Sequence, residues 1–480
     1  MPIETMLQFV GTAQAYPTKR DAVLRAEDFR EIADRYPTRD SETQAGRCSQ
    51  CGVPYCSVHC PLGNHIPDWL KLTAQGRLRE AYELSNATST MPEICGRICP
   101  QDRLCEGNCV IEFSGHGAVT IGSVEKYITD TAWDNGWVEP IAPQPARGQS
   151  VGIIGAGPAG LSAAEYLCVL GYEVHVYDRY DRAGGLLTYG IPGFKLEKHV
   201  VIRRIERLVA AGIVLHQNFE VGHDASLDAL RKKHDSILIA TGVYNARPIN
   251  VPGTTLVGVV EALDYLTASN RKGFGDAVAN FDGGPLDAAD KAVVVVGGGD
   301  TAMDCVRTAI RQGATSVKCL YRRDRANMPG SQREVKNAEE EGVEFVWLSA
   351  PKAFVGQGKV TDVEVSGMRL GAPDASGRRA PEHDPAGEVT LKADLVIKAL
   401  GFDPEDLPLL FGAPSLGVTR WGTVRTDNKT MMTNLDGVFA AGDIVRGASL
   451  VVWAIRDARD VSDRMHAWLK AKAAEQRKAA

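Results

Sequence analysis

Residues 151–160 read VGIIGAGPAG, an apolar run that passes directly into a glycine-rich turn. The apolar run predicts a buried strand, and Gly155, Gly157 and Gly160 form a Gly-x-Gly-x-x-Gly turn that leads into a helix. In this motif the first glycine permits the tight turn, the second lets backbone approach a pyrophosphate, and the third lets the helix pack on the strand. The N–H groups at the helix N-terminus then face the phosphates. The stretch therefore predicts a dinucleotide-binding unit.

The residues after this turn support the prediction. The helix candidate SAAEYLCVLGY follows, and then a strand, EVHVYD, that ends in Asp178. A carboxylate at this distance from the glycines accepts hydrogen bonds from the hydroxyls of the adenosine ribose. The alternative is a glycine turn in some other α/β unit, which would need no acid at this place.

A second strand–turn–helix pattern begins at residue 292, with the sequence AVVVVGGGDTAMDCVRTAI. Its third small position is an alanine, which still allows close packing of the helix on the strand. We predict that its turn and first helical residues bind a second nucleotide, through Gly297, Gly299, Asp300, Thr301 and Ala302.

The strand after the second turn, SVKCLY, is followed by Arg322 and Arg323, where the first unit has Asp178. A carboxylate there would repel a 2′-phosphate, whereas guanidinium groups bind it with charge-assisted hydrogen bonds. We therefore assign FAD to the first unit and NADPH to the second. The alternative is that the two arginines form a solvated, charged turn.

Three later stretches are also predicted to contact the nucleotide of the first unit: RAGGLLTYGIP at 182–192, the strand SILIATG, and GVFAAGD at 437–443. Glycines there bring more backbone amides to a pyrophosphate or flavin, and the last acid is expected on the ribityl hydroxyls. The predicted additional FAD-binding residues are Gly185, Leu186, Thr241, Gly242, Gly442 and Asp443.

Eight of the eleven cysteines lie near the N-terminus in two runs, CSQCGVPYCSVHC (48–60) and CGRICPQDRLCEGNC (95–109). Four thiolates in each run match a 4Fe–4S cluster, which takes one cysteine per iron. Zinc and, for Cys48 and Cys51, a redox dithiol are alternatives. Four cysteines packed so closely disfavour zinc, and a dithiol leaves the other six unexplained. His59 and His65 lie nearby and are expected to be surface residues.

The pairing of these cysteines is open from sequence. In two-cluster ferredoxins the last cysteine of each run serves the other cluster. If the same crossing holds here, one cluster takes Cys48, Cys51, Cys56 and Cys109, and the other takes Cys60, Cys95, Cys99 and Cys105. An uncrossed pairing is the alternative.

Charge and composition limit the partners and the cellular location that we expect for this chain. The formal net charge of −6 gives no reason to expect nucleic acid or an anionic membrane as partner. No apolar stretch is long enough to span a bilayer, and the start, MPIETMLQFV, lacks the pattern of a signal peptide. We expect a cytoplasmic protein, in which cysteines are metal ligands or buried thiols rather than disulfides.

These patterns predict an α/β chain with an N-terminal helical iron–sulfur domain and two Rossmann-like dinucleotide-binding domains, the second inserted in the first. The expected bounds are 1–147 for the cluster domain, 148–255 and 402–480 for the FAD domain, and 256–401 for the NADPH domain. Residues 20–36 are expected to form an amphipathic helix, and 371–388 an exposed loop.

The motifs GAGPAG, GGLLTYGIP, GGGDTAMDC, YRRDRANMPGS and AAGD, behind the two cysteine runs, resemble those of the small (β) subunits of bacterial NADPH-dependent glutamate synthases. The resemblance covers nearly the whole chain. The wider family includes the N-terminal part of dihydropyrimidine dehydrogenase and the large subunit of a ferredoxin–NADP transhydrogenase. The resemblance implies FAD, NADPH, two 4Fe–4S clusters and the crossed cysteine pairing.

The resemblance also implies a function. NADPH would pass a hydride to FAD without a catalytic acid or base from the chain, and the clusters would carry the electrons singly to a large (α) subunit. In the resulting hetero-oligomer, that subunit would make glutamate from glutamine and 2-oxoglutarate. Two alternatives stay open: the same module serving another partner, such as a pyrimidine reductase or a transhydrogenase, or a non-catalytic flavoprotein scaffold.

Overall fold

The computed structural model describes residues 7–373 and 379–479, which form a helical N-terminal region and two parallel sheets. The helical region packs around fully buried side chains that include Trp69, Val124 and Ile128. Its helices are α1 (Gln8–Gly11), α2 (Ala22–Arg25), α3 (Thr38–Ala45), α4 (Tyr55–Val58), α5 (Ile66–Ala74), α6 (Leu78–Asn86), α7 (Pro92–Ile98), α8 (Val110–Phe113) and α9 (Ile121–Asp134).

The first sheet has five parallel strands, in the order β15 (Val438–Ala440), β4 (Ser236–Ile239), β1 (Ser150–Ile154), β2 (Glu173–Tyr177) and β3 (Val214–His216). Both of its faces are covered, because Val151 and Ile153 pack under helices while Ile154 contacts a second cluster on the opposite face. Up to the chain's first exit its elements are β1 (Ser150–Ile154), α10 (Pro158–Val169), β2 (Glu173–Tyr177), α11 (Leu186–Tyr189), α12 (Lys198–Ala210), β3 (Val214–His216), α13 (Leu227–Lys233), β4 (Ser236–Ile239) and β5 (Asn245–Ala246).

The second sheet is also parallel, with the order β6-β13-β7-β8-β9. A three-stranded antiparallel sheet, β10-β11-β12, is built beside it. The elements are β6 (Val259–Glu261), α14 (Ala262–Gly273), β7 (Ala292–Val296), α15 (Asp300–Arg311), β8 (Ser316–Tyr321), α16 (Gln332–Glu340), β9 (Glu344–Trp347), β10 (Ser349–Gln357), β11 (Lys359–Pro373), β12 (Arg379–Lys392) and β13 (Leu395–Lys398).

The chain then returns to the first sheet, as the sequence predicts for an inserted second unit. Its exit strand β5 pairs with the re-entry strand, so the two crossings lie side by side. The returning elements are β14 (Phe402–Asp403), α17 (Leu407–Leu410), β15 (Val438–Ala440), α18 (Asp443–Arg446) and α19 (Val451–Ala479). The predicted fold class is confirmed, and the exact bounds of the units stay a prediction.

Two local predictions are wrong. Much of the expected loop at 371–388 belongs to the paired strands β11 and β12, while 374–378 lie outside the described residues. Most of β12 is exposed, so the strand carries no apolar alternation that would reveal it.

The expected helix at 20–36 is only the single turn α2. Asp21 caps its start by accepting a hydrogen bond from Val23 N, and Lys19 pairs with Ala33 as an isolated antiparallel bridge. Arg25, which is 1% exposed, is held by Glu341 at 2.9 Å. Ion pairing to the second nucleotide unit therefore replaces the apolar contact that an amphipathic helix would need.

A group of histidines lies on one face of the first sheet. His175 Nδ1 and His216 Nε2 are 3.0 Å apart, and His234 Nε2 lies 2.9 Å from the Tyr177 hydroxyl. His234 is 5% exposed, and burial, together with nearby His175 and Lys233, lowers its pKa to about 4. The native protein therefore keeps His234 neutral at a pH at which the unfolded chain binds a proton.

This group predicts acid sensitivity. As the pH falls below the ordinary histidine pKa of 6.5, the unfolded state gains a proton that folded His234 does not, and stability falls. At pH 5 the loss is about 2 kcal/mol, since one unit of pKa difference is worth about 1.4 kcal/mol. Urea unfolding at pH 7 and pH 5 should show a smaller loss for His234→Gln than for wild type. The exposed control His223→Gln should behave as wild type, and equal losses in all three proteins would refute the assignment.

In the part of the chain that the structure describes, no helix is both long and apolar enough to cross a lipid bilayer.

Candidate functional site

The first glycine turn has the geometry that its sequence predicts. Gly155 has φ +108°, a left-handed conformation that favours glycine. A Cβ on Gly160 would lie 1.9 Å from the carbonyl oxygen of Gly155, so the helix can approach the turn only without a side chain there. At Gly157 a Cβ would meet no described atom within 4 Å, so open space lies beside the N-terminus of α10. This space and the free helix N–H groups fit a pyrophosphate.

Asp178 follows β2 directly beside this turn. Its carboxylate accepts hydrogen bonds from Ala156 N at 2.6 Å and from Tyr180 N at 2.8 Å. Burial raises its pKa, which the two N–H groups oppose. Asp178 and Thr241 line the same cavity, and the buried Thr241 Oγ1 has no hydrogen-bond partner among the described residues. An unpaired buried hydroxyl beside an acid suits the polar part of a bound nucleotide.

Aromatic and charged residues that the sequence analysis missed complete this cavity. Arg179 forms a two-bonded ion pair with Glu405, at 2.9 and 3.0 Å, and its guanidinium lies over the rings of Tyr180 and Tyr244. Flat groups of this kind fit an adenine ring. Arg179 directly follows the predicted Asp178. Glu405, however, lies more than 200 residues later in the chain, so no local sequence motif contains both partners of this ion pair.

The other predicted FAD residues converge on the same end of the sheet. A Cβ on Gly185 would lie 2.8 Å from Gly157 Cα, and one on Gly442 would lie 2.9 Å from Ala159 Cβ. Leu186 begins α11 next to Gly185, and Gly242 follows β4. The carboxyl ends of parallel strands meet at one edge of a sheet, which explains the convergence.

Asp443 begins α18 at this edge. Burial raises its pKa to about 6, and the backbone N–H of Ser449 opposes the shift. The oxygens of a buried carboxylate can accept hydrogen bonds from sugar hydroxyls, which fits the predicted contact with the ribityl chain.

The second turn repeats the first in the other sheet. A Cβ on Gly297 would lie 2.3 Å from Ala399 O, while one on Gly299 would meet open space among the described atoms. Ala302 is fully buried, in keeping with its predicted packing role. Asp300 is engaged by protein groups, since it accepts hydrogen bonds from Ser331 N at 2.9 Å and from Arg103 at 3.1 Å. Thr301 lies one residue further on, in the first turn of α15, where a phosphate is expected to bind.

The structure separates the two arginines after β8. Arg322 is exposed, and among the described residues it has no hydrogen-bond acceptor. Arg323 is 7% exposed, and its Nε donates to the carbonyl of Arg379 in the antiparallel sheet at 3.2 Å. Arg322 is therefore the better placed of the two for a 2′-phosphate.

We expect Arg322→Ala to raise the KM for NADPH about 10- to 100-fold, because a charge-assisted hydrogen bond contributes about 1.5–3 kcal/mol. The KM for NADH should hardly change, since NADH has no 2′-phosphate. Steady-state kinetics with both nucleotides test this, and Arg323→Ala is the matched control with the smaller expected effect. Equal changes for NADPH and NADH in Arg322→Ala would contradict the 2′-phosphate assignment.

A cleft lies where the three regions of the chain meet. The second nucleotide unit contributes Thr301, the first contributes Ile191 and Leu450, and the helical region contributes Cys99. It is the place where a nucleotide on each unit and an electron carrier can come close together.

An ion pair crosses this cleft. Lys195 Nζ, from the segment after α11, lies 2.8 Å from Asp304 of α15 and 3.8 Å from Glu334. Burial alone would lower the pKa of Lys195, but these two carboxylates hold it above its ordinary value. Burial raises the pKa of Asp304 to about 6, against the effect of Lys195. The pair links the two nucleotide units, and the sequence analysis missed it because its members lie in different motifs.

Four of the eight cysteines share one cavity. This cavity is lined by Cys48, Cys51, Cys56 and Cys109. Burial raises the pKa of Cys48 to about 12 and that of Cys56 to about 11. Thiolates in such a place need a cationic centre, which an iron–sulfur cluster supplies.

The other four cysteines lie together as well. A hydrogen bond with Cys95 and then burial raise the pKa of Cys99, and burial raises the pKa of Cys60 to about 11, with Cys95 adding to the shift. Burial also raises the pKa of Cys105, and both Cys60 of this set and Cys56 of the first set are among the contributing neighbours. Within the described ranges, no three His, Cys, Asp or Glu side chains form a group suited to a single metal ion. The thiolates of a 4Fe–4S cluster bind separate irons and need not converge on one point.

Comparisons with known proteins agree with this layout. Residues 25–137 match the family described as dihydropyrimidine dehydrogenase domain II, 4Fe-4S cluster, and residues 149–458 match pyridine nucleotide-disulphide oxidoreductase. The NADPH complex of FprA from Mycobacterium tuberculosis has a similar fold, with TM-score 0.57 and 19% identity over 69% of this chain and 86% of that one. The chain is thus an NADPH-dependent oxidoreductase of the pyridine nucleotide-disulphide class with a 4Fe–4S domain.

Curated relatives specify the family. The glutamate synthase NADPH small chain of Azospirillum brasilense is 66% identical over 473 residues, 98% of each chain. The small chain of Escherichia coli K12 is 44% identical over 474 residues, covering 97% of this chain and 99% of the relative. The protein belongs to the family of glutamate synthase NADPH small chains.

Proposed function

We propose that this protein is the electron-input subunit of a glutamate synthase. The observation that carries the proposal is the cleft in which Thr301 of the second nucleotide unit, Ile191 and Leu450 of the first, and Cys99 line one space. When bound, FAD accepts a hydride from NADPH and gives the electrons up one at a time to iron–sulfur clusters. A site at which NADPH, FAD and an iron–sulfur cluster lie close together can transfer electrons without binding any further substrate.

In this proposal the residues of the chain bind and orient the two nucleotides. Gly157 and the α10 N-terminus hold the FAD pyrophosphate, Asp178 its adenosine ribose, and Asp443 its ribityl hydroxyls. Gly299 and Thr301 hold the NADPH phosphates, and Arg322 the 2′-phosphate. The Lys195–Asp304 pair keeps the nucleotide units at a fixed separation across the cleft. No side chain is assigned as acid or base, because hydride transfer depends on orientation.

We further propose two clusters with crossed ligands. The first takes Cys48, Cys51, Cys56 and Cys109, and the second Cys60, Cys95, Cys99 and Cys105. The shared cavity of the first set supports this division, as does the influence of Cys95 on the pKa values of both Cys60 and Cys99.

The acceptor of the electrons is proposed to be a large glutamate synthase subunit, which makes glutamate from glutamine and 2-oxoglutarate. The relatives' printed name, small chain, supports such a partner. We place the complex in the cytoplasm, where thiol ligands stay reduced.

Affinity purification of the tagged chain from its own host, followed by anaerobic addition of NADPH, tests the proposal. We expect a large chain to co-purify and the flavin absorbance to bleach rapidly. Rapid bleaching together with co-purification of a different redox partner would support the electron-transfer role but reject the glutamate synthase assignment. No bleaching would favour a non-catalytic scaffold.

A further inference from the structure

The two cysteine sets differ in their surroundings. Cys99 of the second set lines the cleft between the nucleotide units together with Ile191 and Leu450. The first set lines a separate cavity, whose wall includes Tyr55 and Val110. The second set thus lies on the flavin side of the helical region, and the first set lies away from it.

The wall of the first cavity is also part of the protein surface. Helices α4 and α8 each bury one side, with Cys56 and Ile111, and each shows two apolar side chains spaced i, i+3 on the other side. Residues at this spacing lie on the same face of a helix. Of these, Phe113 is 73% exposed, Val58 66% and Tyr55 49%. Val53, just before α4, is 60% exposed.

The two stretches of sequence that flank these side chains contain no charged residues. Residues 48–67 and 113–124 contain no Asp, Glu, Lys or Arg, although these residue types make up 24% of the whole chain. Glu112, between the exposed residues of α8, is itself exposed, and its carboxylate accepts a hydrogen bond from Ala118 N at 2.6 Å. An exposed apolar patch depleted of charge is typical of the core of a protein–protein interface.

We propose that these residues form the surface on which the large subunit docks, with the Cys48, Cys51, Cys56 and Cys109 set as the last carrier before it. We call this surface the exit face and define it as Val53, Tyr55, Val58, Val110 and Phe113. The partner it fits is a protein subunit that presents an uncharged, apolar surface over a one-electron acceptor. The inference rests on the proposed function.

The electron balance sets what passes through the exit face. Each NADPH oxidised yields NADP⁺, one proton and two electrons. The electrons leave one at a time, so the acceptor in the large subunit is reduced twice for each NADPH consumed.

The test introduces charge into the exit face without touching the cysteines. The double variant Val58→Glu, Phe113→Glu changes two exposed side chains that line neither the cavity nor the cleft. Leu409→Glu, at an apolar residue 76% exposed on the first nucleotide unit, is the matched control. Each protein is titrated with the large subunit separated from the wild-type complex, and iron content and NADPH-driven flavin bleaching are measured beside it.

We expect the double variant to bind the large subunit at least about 100-fold more weakly, with glutamate formation lost in proportion, because charges buried at an interface are costly. Its iron content and flavin bleaching should match wild type, as should all readings of Leu409→Glu. Unchanged binding by the double variant would overturn the inference. Lost self-association with intact large-subunit binding would overturn it too, in favour of an interface between copies. If no large subunit accompanies the wild-type chain, the proposed function itself has failed.

Discussion

Replacing Cys51 with serine is expected to remove one iron–sulfur cluster and to stop electron transfer beyond the flavin. A 4Fe–4S cluster takes one thiolate per iron, so the loss of a ligand should lower the iron content per chain by about half. Glutamate formation by the complex should fall at least about 100-fold. Bleaching of the flavin by NADPH should continue, because Cys51 lies in the cavity away from the nucleotide cleft.

Cys319→Ser is the matched control, since this thiol is fully buried in β8 of the second nucleotide unit. It should keep its iron and its transfer rate. Unchanged iron content in Cys51→Ser would end the ligand assignment at that position, and loss of flavin reduction would show that the two sites are not separate.

Gly160→Ala is expected to yield a protein that cannot hold FAD. The added Cβ would lie 1.9 Å from the carbonyl oxygen of Gly155, and neither backbone segment can yield without moving α10 away from the turn. That movement displaces the helix N–H groups from the pyrophosphate, and overpacking costs about 1–3 kcal/mol in stability. The flavin absorbance per purified chain should fall by more than about 10-fold, and NADPH oxidation should fall with it.

The control for this change is Gly273→Ala, at the end of α14. No described atom lies within 4 Å of a Cβ at that position, so flavin content should stay at the wild-type level. A Gly160→Ala protein with full flavin content would refute the close helix–strand contact in solution.

Much of the layout could be predicted because the information is local. In each glycine motif the end of a strand, the turn and the start of a helix are adjacent in sequence. The motifs at 155–160 and 297–302 are therefore sufficient to predict both nucleotide-binding units. The two cysteine runs likewise predict iron–sulfur ligands from the close spacing of their cysteines alone. The return of the chain through Gly442 and Asp443 also has a local motif, which is why the inserted second unit could be predicted.

What the sequence could not supply depends on contacts between distant segments. The pairs Arg179–Glu405 and Lys195–Asp304 join different units, and neither has a motif of its own. Arg322 and Arg323 are chemically the same, and only the antiparallel sheet beside Arg323 distinguishes them. The strand β12 was missed because hydrogen bonding to β11, rather than an apolar pattern, forms it.

The most direct measurement is NADPH oxidation by the natively purified complex, under anaerobic conditions, with glutamine and 2-oxoglutarate added separately and then together. The account predicts sustained turnover only when both are present, with glutamate as product. Sustained NADPH oxidation that ignores both compounds, or that forms no glutamate, would contradict it.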